Sequence, residues 1–352
     1  MESFDIDLTN EQILMRDVCR KFVNEEVTPF IIKNWVQEWS MSPDGRLPKS
    51  ILEKADQIGI RTLGIPEKFG GTSLELTSEV RTFALISEEI ARGDSGLADK
   101  LVQNWKVAVL LRELAPNEIN KYWFQKIQAD PSFLFAHALT EPKGASDRWL
   151  GYNAPEAAMD TKAVKTKDGW IINGRKHYIS NGYDASLYIV YANTKPGHGM
   201  MDGTSSFIVP KGTTGFNVVR CNETVGCRFM NNGELEFVDC FVPDQNLLSK
   251  NNALPQAGIY FKPGKIIQAA KNLGVGQAAL ERTSEFVQTY SRGGKLLVKH
   301  QAVATRLADM ATRVATVRTL VRQAAKAVDM KTTDADALCN MAKVFASEEI
   351  LK

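Results

Sequence analysis

The chain has 352 residues, 44% apolar and 24% charged, with 43 basic against 41 acidic residues and a net charge of +2. Such a length exceeds what one hydrophobic core usually serves and predicts two or three domains, while the composition excludes wholesale disorder, collagen-like repeats and a small disulfide scaffold. The near balance of charge gives no electrostatic reason to expect nucleic acid or an anionic membrane as partner, and no apolar run approaches the roughly 20 residues that cross a bilayer.

The opening MESFDIDLTNEQ has no basic stretch followed by an apolar one, so no secretory signal is read. Cys19, Cys221, Cys227, Cys240 and Cys339 are scattered and form no C-x-x-C pair, which predicts reduced thiols in a reducing, cytoplasmic setting. The histidines lack zinc-type spacing, and no metal is expected.

From residue 10 to about 125 the pattern is helical. Thr9 or Asn10 caps the first helix, and Ile13, Leu14, Val18, Phe22 and Val23 recur at three-to-four spacing to build an apolar face. Ser50 starts another helix, with Gly59 near its end. Ile65 to Thr72, with Pro66 and the pair Gly70-Gly71, reads as a loop, and a long helix follows from Thr77, a plausible cap, to Ala91.

From about 131 to 245 the period becomes two. Asp168-Gly169 precedes Trp170-Ile-Ile, Asn173-Gly174 precedes Lys176-His-Tyr-Ile-Ser, and Asn181-Gly182 closes that strand. Asn-Gly and Asp-Gly supply the positive φ angles that two-residue hairpins require. Further strands at Leu187, Ser206 and Leu235 complete an expected antiparallel barrel or sandwich. From about 255 helices return, and Val303, Leu307, Met310, Val314, Val317, Val321 and Ala324 keep the 3.5-residue period of a bundle. The fold class is therefore α+β and multidomain: an N-terminal helical domain over 1–130, a middle antiparallel β-barrel over 131–248 and a C-terminal helical bundle over 249–352. The last helix has no Gly or Pro stop, so the natural chain is expected to continue beyond Lys352.

Few segments could carry chemistry. Gly274-Val-Gly276 matches a dinucleotide fingerprint loosely, but its flanks are helical, so small residues permitting close helix contact are the better reading. The stretch from His137 to Asp147 is a strand running into a loop of small and polar residues. Such a loop offers backbone N–H groups to an anion such as a pyrophosphate, or is a plain surface turn. Tyr178 and Ser180, on alternate strand positions, share a face that either fills a barrel or lines a flat aromatic ligand.

These segments resemble the signature of the flavin-dependent acyl-CoA dehydrogenase family. Its T-E-P-x-x-x-S-D loop appears as Thr140-Glu-Pro-Lys-Gly-Ala-Ser-Asp147, and its G-x-K-x-[WY]-I-[TS]-N-G hairpin as Gly174-Arg-Lys-His-Tyr-Ile-Ser-Asn-Gly182. Collinear matches occur at Ile65–Gly71, Glu88–Gly93, Gly226-Cys-Arg, Phe241-Val-Pro, His300-Gln-Ala-Val and Leu307-Ala-Asp-Met310. The resemblance implies FAD held between barrel and bundle and completed by a neighbouring subunit, in a dimer or tetramer. Cofactor contacts then fall on His137, Ala138, Leu139, Thr140, Ala145, Ser146, Tyr178, Ile179 and Ser180, with His300 and Gln301 reaching across a subunit interface. Ser146 and the turn Lys262-Pro-Gly-Lys265 resemble positions facing the CoA portion of the substrate, where lysine suits an anionic nucleotide.

The implied reaction is α,β-dehydrogenation of an acyl-CoA to a trans-2-enoyl-CoA. A stabilised thioester carbonyl acidifies the α C–H, a carboxylate removes that proton, the β hydrogen leaves as hydride to the flavin, and the electrons pass to an electron-transferring flavoprotein.

Four departures stand out. The family base is usually a glutamate in a bundle loop, which is expected beyond Lys352. In some branches it lies on the first C-terminal helix, at the position of Gly264 here, so no catalytic residue is named within 1–352. Lys143-Gly-Ala145 replaces the usual Gly-x-Gly, and Lys143 is expected to be exposed. A usual bundle-hairpin arginine falls on Tyr290, for which Arg292 substitutes. Extra length at 148–160, with Trp149 and Tyr152, could reshape the acyl pocket. Helix residues around Leu97–Gln103 set pocket volume, with Asp99 and Lys100 expected to be solvated. The substrate expected is a short, branched or cyclic acyl-CoA. The alternatives are an acyl-CoA-binding oxidase or non-oxidising lyase, and a non-catalytic thioester-binding protein.

Overall fold

The computed structural model describes residues 7–72, 74, 77–144 and 153–352. Helices α1 (Asn10–Phe22), α2 (Thr28–Asn34), α3 (Lys49–Gln57), α4 (Glu79–Gly93), α5 (Ser95–Leu114) and α6 (Asn117–Ala129) come first. Strands β1 (Phe135–Ala138), β2 (Lys162–Lys165), β3 (Gly169–Ile179) and β4 (Leu187–Asn193) follow, then the one-turn helix α7 (Met200–Gly203) and strands β5 (Thr204–Pro210), β6 (Phe216–Cys221), β7 (Gly233–Pro243) and β8 (Leu247–Ser249). Helix α8 (Ala253–Thr289), the short pair β9 (Ser291–Arg292) and β10 (Lys295–Leu296), and helices α9 (Gln301–Asp329) and α10 (Ala335–Glu349) come last. Among the described residues no helix is long and apolar enough to cross a membrane. Contacts group the chain into two compact units, one of Met1–Trp35, Leu74–Ala98 and Lys262–Lys352, the other of Val36–Ser73 and Asp99–Phe261.

The first unit is helical. Its core joins Val80 and Ala84 of α4, Ile266, Ala270 and Leu273 of α8, Val314, Val317 and Val321 of α9, and Ala342 and Ala346 of α10. Thr9 caps α1 through a capping box with Gln12. The expected apolar face of α1 is buried only in part: Phe22 and Val23 are buried, but Leu14 and Val18 are 65% and 39% exposed, and Gln12, Arg16 and Cys19 are buried beside Phe22. Polar contacts turn the helix. Gln12 Nε2 donates to Thr82 Oγ1 at 3.1 Å, and Arg20 pairs with Glu89 at 2.5 Å. A pattern of apolar residues alone does not register such bonds.

Helix α4 begins at Glu79 rather than after a Thr77 cap, and Ser78 makes no side-chain cap bond. The carboxylate of Asp329, at the far end of α9, takes that place. Its Oδ1 accepts from Val80 N at 2.9 Å and its Oδ2 from Arg81 N at 3.1 Å, so two of the donors that a helix start leaves open are met from 249 and 248 residues away. Asp329→Ala is expected to cost about 1 kcal/mol, the usual value of a lost cap. Urea unfolding followed by helical circular dichroism measures it, and an unchanged midpoint would remove Asp329 from that role.

The second unit is built on an eight-stranded sheet in the described residues, ordered β6-β7-β3-β2-β4-β5-β8, with β1 also on β4. The sheet is mixed, which corrects the expected purely antiparallel one. Strand β1 runs parallel to β4 over Leu187–Val190, and β2 meets the end of β4 in parallel at Asn193. Two short strands thus share one edge of β4. The core beneath holds Trp170, Ile172, Tyr188, Val190, Phe207, Leu235 and Phe237.

Asn173-Gly174 is not a hairpin turn. Strand β3 runs straight through it, with a register shift against β7 between Ile172 and Gly174. Gly174 has φ 149°, and a Cβ there would lie 2.6 Å from Thr161 Cα, so the glycine marks a bulge where another backbone approaches closely. Asp168-Gly169 does sit in the β2–β3 connection, closed by Thr166 N donating to Gly169 O at 2.8 Å.

Candidate functional site

In the second unit β1 delivers the chain to the loop singled out by sequence. His137 is buried in β1, with Nε2 2.9 Å from the Tyr191 hydroxyl and its ring edge-on to Tyr191 and Phe261. Ala138 and Leu139 are also buried, so at these positions the backbone is what remains to meet a ligand. Thr140 is half-buried, Lys143 is exposed as expected and Gly144 is half-buried. Ala145, Ser146, Asp147, Trp149 and Tyr152 lie outside the described residues.

The loop is held from β3. Lys176 Nζ, wholly buried, donates to Glu141 Oε1 at 2.7 Å and to Leu139 O at 3.2 Å, and the next residue's N–H, on His177, donates to Thr140 O at 2.9 Å. Glu141 also accepts from Asp160 N at 2.7 Å and Thr161 N at 3.0 Å. Burial pushes the Glu141 carboxyl up, but Lys176 and the Thr161 hydrogen bonds outweigh it and hold the group below the usual carboxylate range. A cavity of about 190 Å³ opens beside this pair, lined by Leu139, Glu141, Lys143, Met159, Asp160 and Met200.

Immediately after Lys176 the ladder shifts register again, before Ile179. Tyr178 sits in the left-handed region at φ 54° and is 62% exposed, with the His177 ring edge-on at 3.9 Å. A bulky side chain rarely takes this conformation, and such strain concentrates at ligand sites. The bulge also corrects the alternation argument: strand pleat does not set the direction of Tyr178 relative to Ser180. Ile179 is buried and Ser180 half-buried. Asn181, at φ 59°, closes the segment by donating to Lys100 O at 2.9 Å and Phe135 O at 3.2 Å.

These features fit the flat end of a flavin. An exposed aromatic side chain, two half-buried hydroxyl residues, Thr140 and Ser180, and a loop backbone fixed by buried charge are chemically compatible with a planar ring that has polar edges. No cluster of three or more His, Cys, Asp or Glu residues is placed to hold a metal among the described residues.

The remaining predicted positions belong to the helical unit. Lys262-Pro-Gly-Lys265 is not a turn, because α8 continues through Pro263. Lys262 pairs with Asp336 at 2.8 Å, and Lys265 Nζ donates to Asn340 Oδ1 at 2.7 Å, so both lysines reach α10. Arg292 is exposed in the β9–β10 hairpin, whose turn residues Gly293 and Gly294 have φ 62° and 78°, and its carbonyl lies 2.9 Å from His300 Nε2. His300 is the N-cap of α9 and Gln301 its exposed first residue. None of these predicted residues lines a cavity of about 260 Å³ in this unit beside Arg81, Leu85, Glu88, Arg322 and Lys326.

Sequence reasoning missed the inward cations. Lys100, expected in solvent, is wholly buried and pairs with Asp184 at 2.5 Å, and burial outweighs that partner to lower its pKa. Lys271 of α8 is also buried, its pKa pulled by burial down to about 7. For Lys271 a lysine in a largely apolar helical run was the available signal, whereas Lys100 stands beside Asp99 and offered none.

Sequence profiles of the acyl-CoA dehydrogenase N-terminal, middle and C-terminal domains match residues 9–130, 136–240 and 256–351. An acyl-CoA dehydrogenase of Bacillus subtilis (strain 168) is 31% identical over 346 residues, covering 98% of this chain and 86% of its own. A cyclohex-1-ene-1-carbonyl-CoA dehydrogenase of Syntrophus aciditrophicus (strain SB) is 30% identical over 352 residues, with 98% and 79% coverage. A chain from structural work on the electron transferring flavoprotein of Acidaminococcus fermentans superposes with TM-score 0.85 at 28% identity, covering 98% of this chain and 86% of that one. The chain belongs to the acyl-CoA dehydrogenase family. It is an oxidoreductase of the class that acts on the CH–CH bond of acyl-CoA, and its cofactor is FAD.

Proposed function

We propose that the protein catalyses α,β-dehydrogenation of a short, branched or cyclic acyl-CoA to the trans-2-enoyl-CoA and passes the electrons to an electron-transferring flavoprotein. The observation that carries this reading is Tyr178, an aromatic held in a strained conformation and presented to solvent beside a loop pinned by buried charge. The cyclic and flavoprotein-linked relatives support the choice of substrate class and acceptor.

FAD, when bound, supplies the hydride acceptor. Tyr178 would offer its exposed ring to the flavin, the backbone of Ile179 and the hydroxyl residues Thr140 and Ser180 would hold its polar groups, and the backbone of 137–140 would fix its position. By resemblance alone, Ala145 and Ser146 would join these cofactor contacts, and Ser146, Lys262 and Lys265 would meet the CoA portion. Arg292, His300 and Gln301 come from a second copy of the chain, in a dimer or tetramer. The sheet serves as the family's middle barrel, with 1–130, 131–248 and 249–352 as the three domains. By excluding water and aligning the α and β C–H bonds, these residues lower the barrier through orientation.

A second reading, an acyl-CoA oxidase or non-oxidising lyase, draws on Gly264, which lies within α8 and carries no carboxylate at a position that holds the base in some branches. Anaerobic mixing of the flavoprotein with butyryl-, isobutyryl- and cyclohexenecarbonyl-CoA separates the two. Bleaching of the visible flavin bands is expected. Bleaching by dithionite but by no thioester overturns the dehydrogenase, and immediate recolouring in air points to the oxidase. Tyr178→Ala and Ser180→Ala are each expected to weaken FAD retention about tenfold, equivalent to about 1.4 kcal/mol; equilibrium dialysis measures it, and unchanged occupancy removes these residues from the cofactor site.

A further inference from the structure

The ammonium of Lys176 lies inside the protein, and its acceptors include Glu141 Oε1 at 2.7 Å, Leu139 O at 3.2 Å and Met159 Sδ at 3.6 Å. Glu141 in turn holds the amides of Asp160 and Thr161. One buried pair therefore touches three separate stretches of chain: the loop after β1, the segment entering β2, and β3 two residues before Tyr178. The adjacent bond from His177 N to Thr140 O fixes the same loop to the first residue of the bulge.

A buried ion pair is a poor way to gain stability, since apolar residues of equal volume often serve as well or better. What a pair does that apolar packing does not is select one register, because its donors and acceptors meet in a single alignment. Sliding β3 by one residue would turn Lys176 to the opposite face and leave Glu141 in the interior without its cation.

We propose that the Lys176–Glu141 pair is a positioning device that sets the spacing between the 139–141 loop and the Tyr178 bulge, and so fixes where FAD sits. This rests on the reading that both segments hold FAD. Neither residue touches the cofactor in this account; each acts through the backbone it anchors. Three variants of the full chain, Glu141→Gln, Lys176→Met and the double K176M/E141Q, test the proposal by thermal unfolding, FAD titration by fluorescence quenching, and visible circular dichroism of the bound flavin.

A merely structural role moves the unfolding midpoint and leaves the flavin dichroism of a folded variant alone. Positioning predicts that every folded variant, the double included, binds FAD at least tenfold more weakly and shows an altered visible dichroism band. Should Lys176→Met fail to fold, Glu141→Gln decides the matter, because it keeps an oxygen for one amide while removing the charge. Folded variants with wild-type FAD affinity and an unchanged band overturn the proposal while leaving the flavin site standing. A wild-type chain that takes up no FAD overturns both.

Discussion

Glu88→Ala is expected to lower the stability of the helical unit by about 3–5 kcal/mol, the cost of breaking a buried ion pair from one side. Glu88 Oε1 accepts from Arg318 Nε at 3.0 Å and Nη2 at 2.7 Å, and Arg318 also donates to Gln277 Oε1 at 2.8 Å. These bonds join α4, α9 and α8 at one point in the core. Burial pushes the Glu88 carboxyl up, and Arg318 pulls it only part of the way back, so the pair is costly to bury and gains its place by matching three helices. Alanine takes the carboxylate from a buried guanidinium and opens a cavity. Replacing both partners at once, as E88L/R318M, removes the charge altogether and is expected to recover most of the loss. Chemical denaturation of the single and double variants reads both numbers. A single-variant loss below about 1 kcal/mol, or a double variant worse than the single, would contradict the assignment.

Gly274→Ala is also expected to be destabilising, by a smaller amount. On intrinsic propensity alone the change favours a helix by about 1 kcal/mol. Here a Cβ would stand 2.2 Å from Glu88 O, 2.9 Å from Ala91 Cβ and 2.9 Å from Arg92 N. Two of those contacts are backbone atoms of α4, which cannot rotate away as a side chain can. Separating the helices costs about 1–3 kcal/mol or more, so overpacking wins and the net effect is a loss of about 2 kcal/mol. Gly258→Ala supplies the control on the same helix. Its Cβ would meet nothing within 4 Å, and stabilisation by up to about 1 kcal/mol is expected there. Opposite signs at the two glycines, measured by thermal unfolding, distinguish close approach from propensity. Equal signs would defeat the argument.

Gly274 also shows what can be read before a structure exists. Its flanks were helical by composition, so a dinucleotide turn had no strand to follow, and close helix contact remained; α4 lies against it. The helix-sheet-helix order was legible for the same reason, since hydrophobic period changes from 3.6 to 2 and back. Asn173-Gly174 was misread because the dipeptide signals positive φ, and φ alone does not separate a hairpin turn from a bulge. Lys262-Pro-Gly-Lys265 was misread because Pro and Gly usually break helices, whereas α8 runs on through them.

At the candidate site, Thr140, Tyr178 and Ser180 came from motif resemblance. Spacing could not have found the lift of Tyr178, which depends on a register shift set by β7. Nor could it have found that Lys176 points inward, since a lysine in a strand is ordinarily in water. Asp329 capping α4 was beyond any local reading, because the donors and their acceptor are 249 and 248 residues apart.

That last separation bears on how the protein is made. Helix α4 belongs to a unit assembled from Met1–Trp35, Leu74–Ala98 and Lys262–Lys352, whereas the sheet lies between the second and third of these. During synthesis from the N-terminus, the sheet-bearing stretch emerges while the first turn of α4 still lacks its carboxylate partner. The nascent N-terminal helices must therefore wait with apolar and polar surface uncovered, and chaperone dependence should concentrate in the interval before residue 329 leaves the ribosome.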